Sequence, residues 1–263
     1  MTPTNQYRCS SIRRRVLELA NKSGEGHIPS SLSIVEMLFA CLSYIKKADK
    51  HPSHLVLSKG HASLAYYAAL EEFGFISESE LNDFCDFNSK FGGHPDATKH
   101  GAIPFSTGSL GHGLAMATGA AYFERHKRMN PGPIFVILGD QECNEGSVWE
   151  AALLGSALKL NNLVCLIDMN GSDSRSIPMQ SLAAKWGAFN WHVLEVDGHS
   201  REQLTEAVNQ AEKNVDLPTA IICKTIKGKG ISFMENSFEW HHKKLDHNYL
   251  LLALEELESP NHA

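Results

Sequence analysis

The feature that most limits how this chain can fold is a rhythm of short apolar runs separated by helix-period segments. Pro133-Ile134-Phe135-Val136-Ile137-Leu138 is apolar and β-branched, and it stops at Gly139-Asp140. An uninterrupted run of that length suits a strand buried on both faces, as in a parallel sheet. Segments 163–167, 191–196 and 219–225 repeat the pattern. Between them, 144–160, 181–189 and 201–214 read as helices, the first with Val148, Ala151, Ala152, Leu154, Ala157 and Leu158 at helical spacing. Strand, helix, strand in this order implies parallel pairing with right-handed crossovers. The expected class is therefore α/β, a doubly wound parallel sheet with helices on both faces.

The first half reads as helical, over about 6–22, 33–44, 61–73, 78–84 and 110–128, with 54–57 as a further strand. Loops rich in Gly, Ser and His fill 23–31, 91–96 and 106–113. No repeat, low-complexity tract or long linker divides the chain. One domain over 1–263 is expected, with a helical part to about 130, a sheet-rich part over about 131–230 and a C-terminal loop and helix over about 231–263. A chain of this size buries about three quarters of its unfolded surface, so its core needs no covalent staples.

Charge excludes some functions. With 24 Lys+Arg against 30 Asp+Glu the net charge is −6, whereas a nucleic-acid binder shows a basic stripe. The one dense basic cluster, Arg13-Arg14-Arg15, reads as a solvated helix face. No run approaches the roughly 18 apolar residues of a membrane span, and the first residues lack the apolar centre of a secretion signal. Six cysteines are scattered without a Cys-x-x-Cys pair, which fits reduced thiols in the cytoplasm. Asn170-Gly171-Ser172 is then a chance glycosylation match. Neither nucleic acid nor membrane is expected as a partner.

Five of the 14 histidines follow a glycine: His27, His61, His94, His112 and His199. Random pairing of 20 glycines with 14 histidines over 263 positions gives about one such dipeptide. Glycine lets backbone approach a ligand closely, and histidine suits proton transfer near neutral pH. Ligands of open α/β sheets bind beyond the carboxyl ends of the strands. Two polar clusters fall at such ends, Gly139-Asp140-Gln141 and Asp168-Met169-Asn170. An acid and an amide oxygen on neighbouring strands suit a hard cation such as Mg²⁺, which keeps phosphates and water in its shell. The helix following Cys143 points its N-terminus at the same place, favouring an anion. A metal-bridged diphosphate is the physical expectation.

At these residues the sequence resembles a known family. Gly139-Asp140, followed by Asn170, resembles the cofactor and metal motif of thiamine-diphosphate enzymes. Gly24-Glu25-Gly26-His27-Ile28-Pro29, Ser58-Lys59-Gly60-His61-Ala62-Ser63, Gly92-Gly93-His94-Pro95-Asp96 and Thr107-Gly108-Ser109-Leu110-Gly111-His112-Gly113 resemble the transketolases, in the right order. Trp240-His241-His242 is similar to their last histidine loop. The resemblance runs from about 8 to 245. It matches the diphosphate-binding domain alone, without the pyrimidine-binding and third domains of a full-length transketolase.

The resemblance thus implies a thiamine-diphosphate-binding fold and the N-terminal subunit of a split transketolase, a transferase moving a two-carbon ketol unit from a ketose to an aldose. The partner implied is a C-terminal subunit carrying the pyrimidine-binding domain and its activating glutamate, in an α2β2 heterotetramer. This chain alone would be inactive. The cofactors implied are thiamine diphosphate and Mg²⁺, or Ca²⁺ or Mn²⁺. A phosphorylated donor is the default expectation.

Residue by residue, the resemblance assigns Asp140, Asn170 and the carbonyl of Ser172 to the metal. His61 and His241 match positions on the diphosphate, while His27 and His94 match histidines that contact donor hydroxyls and assist proton transfer. Gly108 and Leu110 match the loop against the thiazolium, Gly139 and Gln141 flank the metal aspartate, and Glu145 matches an acid linking two cofactors across an interface. His112 is left behind the first layer of contacts, His199 is read as a cap of the following helix, and Lys227 and Lys229 as an exposed turn in preference to a phosphate contact. Gln141 stands where the family has a second glycine, and would be strained if that position needs positive φ. Ser109 replaces a proline. Two alternatives remain at this level: a subunit of another split thiamine enzyme (a 2-oxo acid dehydrogenase or a deoxyxylulose-phosphate synthase relative), and a non-catalytic scaffold of the same fold.

Overall fold

A computed structural model describes residues 5–48, 54–128, 131–171, 177 and 179–258. Five parallel strands, β1 (Leu55–Leu57), β2 (Ile134–Gly139), β3 (Leu163–Met169), β4 (His192–Asp197) and β5 (Thr219–Lys224), stand in the order β1-β2-β3-β5-β4. Side chains alternate across a strand, and the apolar runs divide accordingly. Phe135, Ile137, Val164, Leu166, Ile221 and Cys223 enter one core with α1 (Asn5–Ser23), α3 (Val35–Lys47), α4 (Ser63–Glu72) and α9 (Arg201–Lys213). Ile134, Val136, Leu138, Cys165, Ile167 and Ile222 enter the other with α6 (His112–Lys127), α7 (Gly146–Ala157) and α8 (Leu182–Ala188). Runs buried on both faces cannot alternate in polarity, which is why they read as continuous apolar segments. The expected α/β sheet wound on both faces is what forms.

Three further α-helices are α2 (Ile28–Leu32), α5 (Glu78–Leu81) and α10 (His247–Glu258). The segment read as a loop over 23–31 contains the start of α2, which has a proline in its first turn. The fixed φ of Pro29 is already helical there. By contrast, α5 is shorter than expected: it ends at Leu81, 82–85 are turns, and Cys85 adopts φ 63. The start of α6 is set by Gly111 at φ 86 rather than by Leu110.

One reading is overturned. Arg13 is not on a solvated face: it is 7% exposed and grips Glu36 with both terminal nitrogens, at 2.6 and 2.9 Å. Its neighbours Arg14 and Arg15 do lie nearer solvent and pair with Glu258 and Glu71. All three partners are distant in sequence, so local charge pattern could not separate the buried arginine from the other two. Among the described residues no helix is long and apolar enough to cross a membrane, and the six cysteines form no disulfide.

Candidate active site

Strands β1, β2 and β3 end side by side, and the segments leaving their carboxyl ends line a cavity of 440 Å³. At the end of β2, Asp140 is 1% exposed and caps a single 3-10 turn, Gln141–Asn144, by accepting the Gln141 N–H at 2.7 Å. The Asp140 N–H donates to the Asp168 carbonyl at 3.1 Å, which locks the two strand ends together. Gln141 is not among the residues with positive φ, so the side chain in place of the family's glycine causes no strain.

Two buried carboxylates organise the loops around this point. Asp168 is fully buried and accepts from Ser33 at 2.8 Å, Lys59 at 2.5 Å, Asn170 at 2.8 Å and the Thr225 hydroxyl. Burial alone would raise its carboxyl, but the Lys59 charge and these hydrogen bonds hold it below the usual range. Because Asn170 gives its amide nitrogen to Asp168, its amide oxygen is directed to the opposite side of the group. Glu142 accepts from the Ser58 hydroxyl at 2.5 Å, the Gly111 N–H at 2.8 Å and the Gly139 N–H at 3.1 Å. Desolvation outweighs those three bonds and pushes its carboxyl up. Glu142 thereby ties the ends of β1 and β2 to the first turn of α6.

The histidines arrive on separate segments. His27 precedes α2, His61 sits in the 3-10 turn Gly60–Ala62 after β1, and His241 lies in the turn Glu239–His242. The His27 ring stands 5.2 Å from His61, 5.4 Å from His241 and 4.7 Å from His242, centroid to centroid. Burial, then Lys59 and the neighbouring rings, push His61 down to about 2. Burial, then His242 and His241, take His27 down to about 4. Burial and Lys227 lower His241 as well, and the Lys227 Nζ lies 3.1 Å from its Nδ1. Neutral imidazoles beside two ammonium groups make a cavity that offers hydrogen-bond donors without crowding it with cations. His94 is exposed, and its ring lies where a Cβ on Gly108 would fall, 2.7 Å away, while Gly108 holds φ +140. No other residue type suits Gly108 there.

The structure brings the expected residues together. His27, His61, His94 and His241 line the same cavity as Gly139, Asp140, Gln141 and Asn170, and Gly108, Leu110 and Glu145 complete its wall. Ser172 lies outside the described residues. His112 is exposed and absent from the lining. Ser30, Lys59, Glu142, Asn144, Ile177 and Lys227 also line the cavity without having been singled out as site residues. Lys59 sits inside the Ser58–Ser63 motif already noted, so its position was a usable signal. Lys227 had none beyond a Lys-Gly-Lys-Gly turn, and its reading as exposed is corrected here. Lys229 instead pairs with Glu235 at 3.4 Å. His199 does not cap α9, since Ser200 does so by accepting the Gln203 N–H.

The donor set fits a hard cation only with help. Among the described residues no cluster of three His, Cys, Asp or Glu side chains could hold a metal. Asp140 and the amide oxygen of Asn170 supply oxygen donors at adjacent strand ends, and Mg²⁺ takes its remaining ligands from phosphates and water. That chemistry suits an ion bound together with a diphosphate rather than before it.

Comparison with known proteins gives a consistent neighbourhood. The family described as transketolase, thiamine diphosphate binding domain, matches residues 4–256. A 6-deoxy-6-sulfo-D-fructose transketolase subunit from a Clostridium species is 36% identical over 264 residues, covering 96% of each chain. An apulose-4-phosphate transketolase subunit from Phocaeicola vulgatus is 35% identical, covering 91% of this chain and 88% of that one. Human transketolase is 38% identical over 97% of this chain, which spans only 41% of the human protein. Among solved structures, transketolase from Campylobacter jejuni superposes with TM-score 0.86 at 26% identity, over 98% of this chain and 43% of that one. The Leishmania mexicana transketolase gives the same TM-score at 24% identity, a likeness of fold.

Proposed function

The chain belongs to the family of the transketolase thiamine diphosphate binding domain, and from that premise we propose that it is the cofactor-holding subunit of a transketolase. The reaction is transfer of a two-carbon ketol unit from a ketose to an aldose, carried out with a second polypeptide that bears the pyrimidine-binding domain. Two relatives that this chain covers over 96% and 88% of their length carry the word subunit in their names, which supports that division; two copies of each polypeptide are proposed to form a heterotetramer. The cavity is the observation that carries the reading: three carboxylates, the Asn170 amide, four imidazoles and two lysines converge where open α/β sheets bind ligands.

Within this reading Asp140, Asn170 and Ser172 hold Mg²⁺, or Ca²⁺ or Mn²⁺ in its place, against the diphosphate. Lys59, Lys227, His61 and His241 face the diphosphate oxygens, and an arriving polyanion raises the basicity of the imidazoles that receive it. Gly108 and Leu110 present backbone close to the cofactor ring. Bound thiamine diphosphate supplies a nucleophilic ring carbon that takes up and hands on the ketol unit. His27 and His94 bind the donor hydroxyls and move protons to and from them, a contribution of about 10²–10⁴-fold. Glu145, exposed at the start of α7, reaches toward a neighbouring subunit. Several hydroxyl-binding histidines favour a sugar over a 2-oxo acid, and the donor is a ketose bearing an anionic end group, phosphate by default. The chain acts as one domain in the cytoplasm, where its six reduced thiols are stable.

Asp140→Asn keeps the shape and removes the charge, so it should abolish metal-dependent binding of thiamine diphosphate, as measured by calorimetry with and without Mg²⁺. Undiminished binding would sink the metal assignment. Turnover of a ketose phosphate, with none of pyruvate, is the expected selectivity of the two-subunit complex.

A further inference from the structure

We propose that Arg13, Glu36 and His199 form a brace whose task is to hold the 226–229 turn, and with it Lys227, against the cavity. This rests on the reading of Lys227 as a diphosphate contact. The three residues come from α1, α3 and the segment before α9, and none of them lines the cavity. Glu36 is 6% exposed and binds Arg13 through both carboxylate oxygens, at 2.6 and 2.9 Å. Its Oε2 also meets the Nδ1 of His199 at 3.1 Å. A proton on Nδ1 makes Nε2 an acceptor, and Nε2 receives the Ile226 N–H at 2.8 Å. At the other end of the turn, the Nε of Arg13 donates to the Lys229 carbonyl at 3.1 Å. The brace therefore grips the backbone on both sides of Lys227.

Independent bonds fix the rest of the turn to the site. Gly228 donates its N–H to the carbonyl of Pro29, two residues after His27, at 3.0 Å. The Thr225 hydroxyl donates to Asp168, and the Asn236 N–H donates to the Lys227 carbonyl at 2.8 Å. Gly230, at φ +95, passes the Arg13 side chain so closely that a Cβ would meet its Nε at 3.2 Å. With its backbone held at these points, the Lys227 side chain extends along the cavity wall, its Nζ 3.1 Å from the Nδ1 of His241. A solvent-facing arginine or a helix cap would need none of this geometry. The orienting role matches that of groups behind metal ligands, whose loss costs about 10–100-fold in affinity.

The test is a double-mutant cycle on the full chain, with thiamine diphosphate and Mg²⁺ as the titrant. His199→Ala should weaken affinity on the order of tenfold. In a Lys227→Ala background the same change should cost less than about twofold, because coupled residues are non-additive. His199→Gln, whose amide oxygen can accept the Ile226 N–H, should restore most of the loss. Hydrogen exchange supplies a ligand-free arm: amides of 226–230 should exchange faster in His199→Ala while those of β2 and β3 do not change. If the wild-type chain takes up no thiamine diphosphate, the proposed function fails and the exchange arm alone decides the brace. Unchanged exchange in the turn overturns the brace, as does an affinity cost that persists in full without Lys227.

Discussion

Asp168 shows how much of this site depends on residues that never face the ligand. It gathers Ser33, Lys59, Asn170 and Thr225 from four segments, and so orients the proposed metal ligand Asn170 and the proposed phosphate contact Lys59. The histidines are the complementary case. Their recurrence after glycine was legible in the sequence, but their environment was not. Depressed basicity comes first from burial, then for His61 from Lys59 two residues away and for His27 from rings of the distant 241–242 turn. That depression has a sign that can be measured. His61, pushed down to about 2, and His27, to about 4, stay neutral in the fold below the pH at which the unfolded chain takes up protons. Their contribution to stability is therefore present above about pH 6.5 and is lost as pH falls below it. For His61 the slope is at most about 1.4 kcal/mol per pH unit, and solvent screening makes it smaller for the half-exposed His27. Urea titrations from pH 7 to pH 5 should show a shallower decline in His61→Gln than in wild type. Equal slopes would mean that His61 does not stay neutral.

At the scale of elements, the sheet could be read from the sequence because its central strands β2, β3 and β5 are apolar on both faces, while the edge strand β4 is only partly buried. Boundaries were set by residues that pattern reading undervalues: Pro29 starting α2 and Gly111 starting α6. The loops were read as carriers of motifs, and that reading recovered most of the cavity. Lys227 and the buried Arg13 escaped it, because nothing local distinguishes a held turn from an exposed one. The tight approach of the 106–111 loop to the 91–96 loop gives a direct test. Gly108→Ala puts a Cβ 2.7 Å from the His94 ring at a φ that disfavours any side chain. It should destabilise the fold by about 1–3 kcal/mol in urea denaturation and weaken thiamine diphosphate binding with it. A silent substitution would mean that the two loops are not in contact.

At the scale of the whole molecule, one five-stranded parallel sheet carries, at the carboxyl ends of its strands, the cavity proposed to hold the cofactor. The cavity is proposed to grip a metal diphosphate, and the pyrimidine-binding domain that activates the cofactor ring is proposed to come from another polypeptide. This chain spans 41% of the human relative but 96% and 88% of two relatives named as subunits. Native purification of this chain from its source cells, with mass spectrometry of the proteins and assay of bound thiamine diphosphate, tests the proposed division between two polypeptides most directly. The account predicts a stoichiometric second chain with the pyrimidine-binding domain, and one thiamine diphosphate for each copy of this one. A chain that emerges alone, and that stays empty after thiamine diphosphate and Mg²⁺ are added, would contradict it.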